Sequence, residues 1–362
     1  MRSAGMEKSR DSPELFHLVK ELAGTPGPVG REGPVQDFLD GQWSRHGFLT
    51  KRDRIGNLVG TMGEPSKNDP YHVAIVAHAD AIGFIVQQVL PTGFVKLGFN
   101  TAATTPDARF LAGSSIRFLV PGGEALEGYF GLRSGHLAGI GGKKEPVLFD
   151  DAFIDLGCDS AREVLDLGID VGTAGVFSNP ARRYKGNIVG PAMDDRVGGA
   201  IQCLLAKACK EMDPPPRVTL ISTVQEEIGM KGAAAVARDT RCDAVINLDV
   251  GLTGDIPGTE NDYLQTRLGQ GPIIVYKDFA VHYSMSLIES LERIAKKEEI
   301  QYQKAIFKNY RTDGMQFFMQ GIPTVTLAIP CRYTHTNFET IREVDVSRCC
   351  NLIEHFVVNT HG

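Results

Sequence analysis

The sequence predicts an α/β fold with a mixed, mostly parallel sheet that is flanked by helices. Short runs rich in β-branched residues alternate with longer amphipathic segments over most of the 362 residues, which is typical of a sheet covered by helices. The short runs are almost continuously apolar, and this indicates strands that are buried on both faces. The predicted strands cover residues 71–77, 217–224, 244–250, 271–277 and 323–329.

Amphipathic segments between these strands predict the covering helices. In 194–211, apolar residues recur at helical spacing and form one stripe. The sequence DPPP at 213–216 ends this helix, because proline lacks the amide hydrogen and restricts the residue before it. Residues 283–299 and 343–358 are predicted as further helices.

One region interrupts the α/β pattern. From about 84 to 182 the chain contains short predicted strands, glycine-rich turns and one clear helix near 161–167. The α/β pattern then resumes. We therefore predict an inserted β-rich domain at 84–182 and a main domain formed by 1–83 together with 183–362.

Composition excludes several classes of function. The chain has 38 basic and 44 acidic residues, a net charge of −6 and no polybasic block, so we expect no nucleic-acid partner. No run reaches the roughly 18 apolar residues of a membrane span, and the N-terminal segment lacks an apolar signal region. The seven cysteines are scattered without a C-x-x-C pair, which fits reduced thiols. We expect a soluble, cytoplasmic protein with no membrane partner.

Five polar signals lie at or just after the C-terminal ends of predicted strands, where open α/β sheets place their sites. The first is His78 with Asp80, which follow the strand at 71–77. Residues two apart on an extended chain point to the same side. Asp80 is therefore a candidate to accept the second ring proton of a metal-binding His78. Taken alone, His78 is better interpreted as an ordinary hydrogen-bonded histidine.

Two further signals are pairs of adjacent acids. Asp194 and Asp195 begin the striped helix, where the alternative interpretation is a helix cap with acidic residues that complement the helix dipole. Glu226 and Glu227 follow the strand at 217–224. Their carboxylates repel each other unless a proton or a cation separates them, which favours a functional interpretation.

The last two signals complete a candidate metal site. Asp249 lies in an otherwise apolar strand, where a carboxylate is costly to bury unless it is paired or binds a metal, and His335 follows the strand at 323–329. Histidines and carboxylates from separate strand ends suit zinc, cobalt or manganese, and two metals need a bridging carboxylate and a base. The candidates for these roles are His78, Asp194, Glu226, Glu227, Asp249 and His335.

The motifs around these residues resemble the cytosolic co-catalytic metallo-aminopeptidases, the family that includes glutamyl aminopeptidase and the tetrahedral (TET) aminopeptidases. The resemblance covers nearly the whole chain, with the motifs in the order and at gaps similar to those of the family. These motifs are AHADAIGF, IDLGCDS, GPAMDDRVGGA, TVQEEIGMKGA, INLDV, LGQGP, RTDG and IPCRYTHTNFE. The resemblance implies two divalent metal ions, Zn²⁺ or Co²⁺ with Mn²⁺ as a further candidate. It implies that Asp194 bridges them, that His78 and Asp249 complete one site, and that Glu227 and His335 complete the other.

The resemblance also implies an activity and an assembly. Glu226 would be the general base that activates the metal-held water, and we place Asp80 with it in the catalytic set. The substrates would be short peptides with a free N-terminus, cleaved one residue at a time. The inserted domain would mediate dimerisation, and dimers would form a twelve-subunit tetrahedron.

The chain departs from the usual motifs of the family at three positions. Ala81 replaces a glutamate, Gly314 replaces an alanine and Thr336 replaces a serine. All the proposed ligands and the base are nevertheless present. We expect the absence of the acid at Ala81 to alter metal affinity or selectivity while activity is retained.

The same residues also allow alternative functions. A dinuclear metal carboxypeptidase or a deacylase of N-acylated amino acids would use the same ligands, because fold and ligands do not fix the substrate. A glycosidase would need Glu226 and Glu227 as its paired acids, and adjacent residues do not suit that geometry. A non-catalytic family member with a binding or assembly role is disfavoured because the base Glu226 is present. The preferred first residue of the substrate and the native metal stay open.

Overall fold

One mixed sheet crosses the main part of the protein in the computed structural model. The structure describes residues 13–63, 71–102, 106–122, 125–133, 136–137, 148–213, 215–259 and 263–359. The strands within these ranges are β1 (Leu49–Arg52), β2 (Leu58–Met62), β3 (Val73–His78), β4 (Phe84–Val89), β5 (Val95–Phe99), β6 (Ser115–Leu119), β7 (Ala125–Gly131), β8 (Phe153–Asp155), β9 (Ala174–Phe177), β10 (Arg182–Tyr184), β11 (Asn187–Gly190), β12 (Val218–Thr223), β13 (Ala244–Leu252), β14 (Ile273–Lys277), β15 (Gln303–Ile306), β16 (Thr324–Arg332) and β17 (Glu339–Arg342).

The centre of this sheet is parallel and its edges are antiparallel. Its strand order is β1-β2-β12-β3-β13-β16-β17-β11-β10, and the four strands from β12 to β16 run parallel. Strand β14 pairs with the first half of β16 and also with β15. The C-terminal ends of the four central strands therefore meet at one edge of the sheet. The predicted mixed α/β sheet is confirmed, and all five predicted strands are present.

Helices cover both faces of the sheet. Successive side chains of a strand point to opposite faces, so Ile75 of β3 packs in one apolar core and Val76 in another. The larger core lies under α1, α4, α6 and α8, and the smaller one under α5 and α7. The helices of the described residues are α1 (Pro13–Gly24), α2 (Gly33–Arg45), α3 (Ala161–Asp166), α4 (Met193–Glu211), α5 (Lys231–Val236), α6 (Met285–Lys297), α7 (Gly314–Phe318) and α8 (Glu343–Asn359). Short 3₁₀ turns occur at Ala108–Phe110 and Phe149–Asp151.

The predicted β-rich insertion is a closed barrel. Its strand order is β4-β5-β8-β7-β6-β9, with its own apolar core. The ring of Phe84 lies 4.9 Å from that of Phe130 and 5.2 Å from that of Phe177, which joins three strands of the barrel. Because β4 begins six residues after His78, the barrel is connected directly to the C-terminal edge of the central strands.

The sequence analysis interprets the glycine-rich stretch at 139–144 as a loop, because it lacks the spacing of a phosphate loop. This stretch lies outside the residues that the structure describes.

Among the helices that the structure describes, none combines the length and apolar character required to cross a membrane.

The close packing of Gly93, in the turn between β4 and β5, allows a test of the barrel structure. Gly93 has a φ of +84°, and a Cβ atom there would lie 2.0 Å from the carbonyl oxygen of Cys158. We expect Gly93→Ala to lower the thermal midpoint measured by calorimetry. Gly113→Ala is the matched control, because Gly113 has a φ of +77° but open space around it. Backbone strain alone should lower the free energy of unfolding of the control by about 1–2 kcal/mol. The loss for Gly93→Ala should be larger because of the contact with Cys158. Equal losses for both variants would contradict the close contact.

Candidate metal centre

His78 is the last residue of β3 and is buried at the C-terminal edge of the sheet. Every residue of β3 is buried, which fixes the position of the histidine at the edge of the sheet. Its Nδ1 atom lies 3.0 Å from the backbone oxygen of Asp80, and its Nε2 atom lies 3.0 Å from Oδ1 of Asp194. An Nδ1–H that donates to this carbonyl leaves Nε2 as the atom that faces Asp194.

The carboxylate of Asp80 supports a neighbouring loop. It accepts hydrogen bonds from the backbone N–H groups of Glu226 at 2.9 Å and Glu227 at 3.0 Å. Its distance to Nδ1 of His78 is 3.7 Å, longer than that of its own backbone oxygen. The hydrogen-bond acceptor for Nδ1 of His78 is therefore the backbone oxygen of Asp80. The sequence analysis predicted its side-chain carboxylate in this role. The carboxylate instead positions the adjacent acids after β12.

Asp194 and Asp195 have different roles at the start of α4. Both have non-helical backbone angles, and the peptide bond between them is cis. Oδ1 of Asp195 accepts the backbone N–H of Gly198 at 3.0 Å, which is a helix-capping contact. Burial raises the pKa of Asp195 to about 8. The two oxygens of Asp194 instead face His78 and His335. Asp195 therefore fits the helix-cap interpretation of this pair, and Asp194 fits the interpretation as a candidate ligand.

The loop that carries Glu226 and Glu227 is held by the side chain of Asn57, which we call the loop clamp. The side-chain oxygen of Asn57 accepts the N–H of Val224 at 3.0 Å, and its amide nitrogen donates to the carbonyl of Gly232 at 3.0 Å. A Cβ atom at Gly232 would lie 2.3 Å from the carbonyl oxygen of Val224, so only glycine fits this approach. Asn57 therefore ties both ends of the loop to the strand edge.

His335 is held by a buried acid, Glu339. The N–H of His335 donates to Oε1 of Glu339 at 2.6 Å, and the N–H of Asp194 donates to Oε2 at 3.1 Å. Burial raises the pKa of Glu339 to about 8, and the charge of Asp194 adds to the effect. One carboxyl group thus sets the distance between two candidate ligands.

The candidate ligand atoms form two groups that share one residue. In the first group, ligand atoms of His78, Asp194 and Asp249 lie within 4.8 Å of one another. In the second, those of Asp194, Glu227 and His335 do the same. The structure therefore brings together the five residues that the family resemblance implies, in the two sets it implies.

Glu226 and Ala81 lie outside both groups. Glu226 lines the cavity beside them. Ala81 is buried, and its backbone donates to the carbonyl of Gly27 at 3.1 Å and accepts the N–H of Val29 at 3.3 Å. This position thus joins the strand edge to the segment between α1 and α2, and its effect on metal affinity stays a prediction.

The sequence analysis did not assign roles to three buried acids around the groups. Glu339 and Asp313 lie within quoted motifs, and Glu32 accepts the N–H of Gln225 at 3.2 Å. The hydroxyl of Thr223 donates to the carboxylate of Asp313, whose pKa burial raises to about 7. The available signal was that Asp313 and Glu339 are acids within the quoted motifs without being candidate ligands. The residues that they contact depend on the fold and are not visible in the sequence.

The pKa values of the site reflect burial of many like charges. Burial raises the pKa of Glu226 and of Asp249 well above the ordinary value. Burial acts in the same direction on Asp194, but hydrogen bonds from His335 and His78 outweigh it and lower the pKa. Burial lowers the pKa of each histidine, yet the neighbouring carboxylates bring both values well above the ordinary one. These directions favour positively charged imidazoles beside the ionised carboxylate of Asp194.

These contacts fit divalent cations. The 3.0 Å between Nε2 of His78 and Oδ1 of Asp194 requires a proton or a cation between the two atoms, and a bound cation can take the place of that proton. Oε1 of Glu227 is buried, lies 3.3 Å from Nε2 of His335 and accepts no hydrogen bond from the described residues. Imidazole and carboxylate donors suit zinc, cobalt or manganese.

The groups open into a cavity of about 570 Å³. Asp194, Glu226, Glu227, Asp249 and His335 lie at its acidic end. Its walls also include apolar side chains and other polar ones. These are Met230, Val250, Leu252, Phe279, Asn309, Tyr310, Arg311 and Thr334. The cavity has the size of a site for a small molecule or a short peptide.

The fold and the candidate ligands define a class of α/β proteins with metal-binding groups at the C-terminal edge of a parallel sheet. Residues 56–352 match the M42 glutamyl aminopeptidase family, and the chain belongs to this family. Members of the family are metal-dependent aminopeptidases. The lysyl aminopeptidase of Pyrococcus furiosus is 27% identical over 355 residues, which cover 93% of this chain and 95% of the relative.

Solved structures show the same architecture. The aminopeptidase APDkam598 from Desulfurococcus kamchatkensis has a TM-score of 0.88 and 28% identity, over 95% of this chain and 94% of that chain. The TET1 peptidase of Pyrococcus horikoshii, which can assemble into a tetrahedron or a large octahedral shell, has a TM-score of 0.81 and 26% identity. The match covers 95% of this chain and 99% of the TET1 chain.

The loop clamp generates a test of local stability. Asn57→Ala removes the acceptor of the buried N–H of Val224, which we expect to cost about 1–3 kcal/mol. Hydrogen exchange followed by mass spectrometry should become faster over residues 224–232. The half-buried Asn351 of α8 provides the control variant Asn351→Ala. Unchanged exchange over 224–232 in Asn57→Ala would show that the clamp does not hold the loop.

Proposed function

We propose that the protein is a dinuclear metal-dependent aminopeptidase that removes N-terminal residues from short peptides. The observation that carries the proposal is the sharing of Asp194 by two ligand groups at the acidic end of a cavity. Membership of an aminopeptidase family supports the same reaction. The substrate needs a free amino group, which as a cation is favoured beside an acidic cluster.

Two divalent ions, Zn²⁺ or Co²⁺ with Mn²⁺ as a further candidate, would be held by the two groups. Asp194 would bridge them, with His78 and Asp249 on one side and Glu227 and His335 on the other. When bound, such ions polarise the peptide carbonyl and make water a stronger nucleophile.

Glu226 is the proposed general base. It lines the cavity but belongs to neither ligand group, which leaves its carboxylate available for proton transfer. The carboxylate takes a proton from the attacking water and returns it to the leaving amine nitrogen. Asp80 holds the backbone of Glu226 at 2.9 Å and so positions it for this transfer.

The β-rich region at 84–182 is the proposed dimerisation domain. Two exposed apolar side chains on the barrel support this role, Tyr129 on β7 and Val171 before β9. Burial of such side chains favours association. A twelve-subunit tetrahedron, as the related TET1 peptidase can form, would restrict access to short peptides, and we place the assembly in the cytoplasm.

A peptide panel tests the proposed activity. The metal-loaded protein should release the first residue from unblocked peptides, and neither N-acetylated peptides nor chelator-treated protein should react. Glu226→Gln should lower kcat about 10²–10⁴-fold, because it removes the proton acceptor. Glu211→Gln, at the exposed end of α4, is the control and should retain full activity.

Each other outcome points to a different function. Cleavage of the acetylated peptides would identify a deacylase or carboxypeptidase. Turnover by Glu226→Gln at the normal rate would remove Glu226 from the reaction. A metal-loaded protein that cleaves none of the unblocked peptides would contradict the proposal.

Asp80→Asn tests the support of the metal site. The variant replaces one of the two carboxylate oxygens that accept backbone N–H groups with an NH₂ donor, so the loop that carries Glu227 loses one of its two hydrogen bonds to this side chain. We expect metal affinity to fall about 10–100-fold, as measured by titration of the metal-free protein with zinc. The exposed Asp239 provides the control variant Asp239→Asn. Equal affinities in the two variants would show that Asp80 does not support the ligands.

A further inference from the structure

A single guanidinium lies at the wall of the acidic cavity. Among the lining residues that the structure describes, Arg311 is the one lysine or arginine side chain. It is exposed, and it makes no ion pair within the described part of the chain. Since the cavity also contains Asp194, Glu226, Glu227 and Asp249, it has an acidic end and a basic group in its wall.

An aromatic ring orients this guanidinium. Cζ of Arg311 lies 4.4 Å from the ring centroid of Phe279, another lining residue. Phe279 is 56% exposed, so the ring is available at the surface of the cavity. Stacking uses the face of the guanidinium and leaves the N–H groups at its edge available for a carboxylate.

The backbone beneath Arg311 is fixed on both sides. The hydroxyl of Tyr310 donates to the carbonyl of Val250 at 2.6 Å, and the carbonyl of Tyr310 accepts the N–H of Phe279 at 3.0 Å. On the other side, the hydroxyl of the buried Thr312 lies 3.0 Å from that of Tyr283. Arg311 is therefore presented by a preorganised segment, which reduces the entropy that a bound ligand must offset.

The chemistry of the cavity assigns a partner to this group. We propose that Arg311 is a specificity-determining residue that pairs with a carboxylate of the substrate. This inference rests on the proposed aminopeptidase function, in which the substrate amine lies at the acidic end. The carboxylate comes from an acidic first side chain or from the free C-terminus of a dipeptide or tripeptide. Both sources match the planar donors of arginine, which bind a carboxylate through two parallel hydrogen bonds.

Paired peptides distinguish the two sources. One pair consists of tripeptides that begin with glutamate or glutamine, and the other of alanine tripeptides with a free or an amidated C-terminus. The metal-loaded protein should prefer the carboxylate member of one pair by about tenfold in kcat/KM. Arg311→Gln should remove that preference, mainly by raising the KM of the carboxylate peptide. Arg311→Lys should retain part of the preference, because the positive charge is kept while the planar donors are lost. Arg238→Gln, an exposed arginine outside the cavity, is the control and should keep the preference.

A binding experiment separates this inference from the proposed function. Calorimetric titration of the metal-loaded Glu226→Gln protein measures the affinity for the same four peptides without turnover. A preference of about tenfold that is lost in the Glu226→Gln, Arg311→Gln double variant supports the role of Arg311, even where no peptide is cleaved. Equal preferences with and without Arg311, in binding and in kcat/KM, would overturn the inference while leaving the aminopeptidase proposal intact.

Discussion

The site is organised around the carboxylate of Asp194, which faces an imidazole nitrogen on each side. Its two oxygens lie 3.0 Å from His78 and 3.3 Å from His335, so each oxygen faces the histidine of a different ligand group. Two acceptors at such distances are stable only with a proton or a cation between them. The remaining acids therefore pack around a carboxylate whose charge must be balanced on each side by a proton or a cation.

Placing this many like charges together requires a framework that does not yield to their repulsion. The parallel centre of the sheet supplies it, because every residue of β3 and β12 is buried and the strand ends cannot separate without exposing the core. Two further acids, Asp80 and Glu339, accept backbone N–H groups of the residues that carry the cluster. The carboxyl oxygens of both acids are satisfied by these hydrogen bonds, which hold the backbone of the candidate ligands in place.

Most of the fold followed from local patterns, while the supporting contacts did not. Apolar runs and helical stripes locate the central strands and α4, since burial on both faces leaves a direct trace in the sequence. His78, Asp194 and Asp249 stood out because polar residues at strand ends conflict with that trace. Glu339 and Asp80 act through contacts more than 140 residues away, and no periodic pattern reports such a contact. Closure of the barrel by the pairing of β4 with β9 is non-local in the same way.

The protein places the two tasks of its cavity on different kinds of structure. The candidate ligands lie at or beside strand ends fixed by the core, whereas Phe279 and Arg311 lie on segments at the cavity wall between elements of the outer part of the sheet. If the proposed role of Arg311 holds, a substitution in the wall would change which substrate groups are favoured without moving the ligands, because the wall is anchored by its own hydrogen bonds. A change at a strand end instead disturbs the core and the charge balance together. Chains that share only about a quarter of their residues with this protein keep the same architecture, and two relatives are named for different residues, lysyl and glutamyl aminopeptidase.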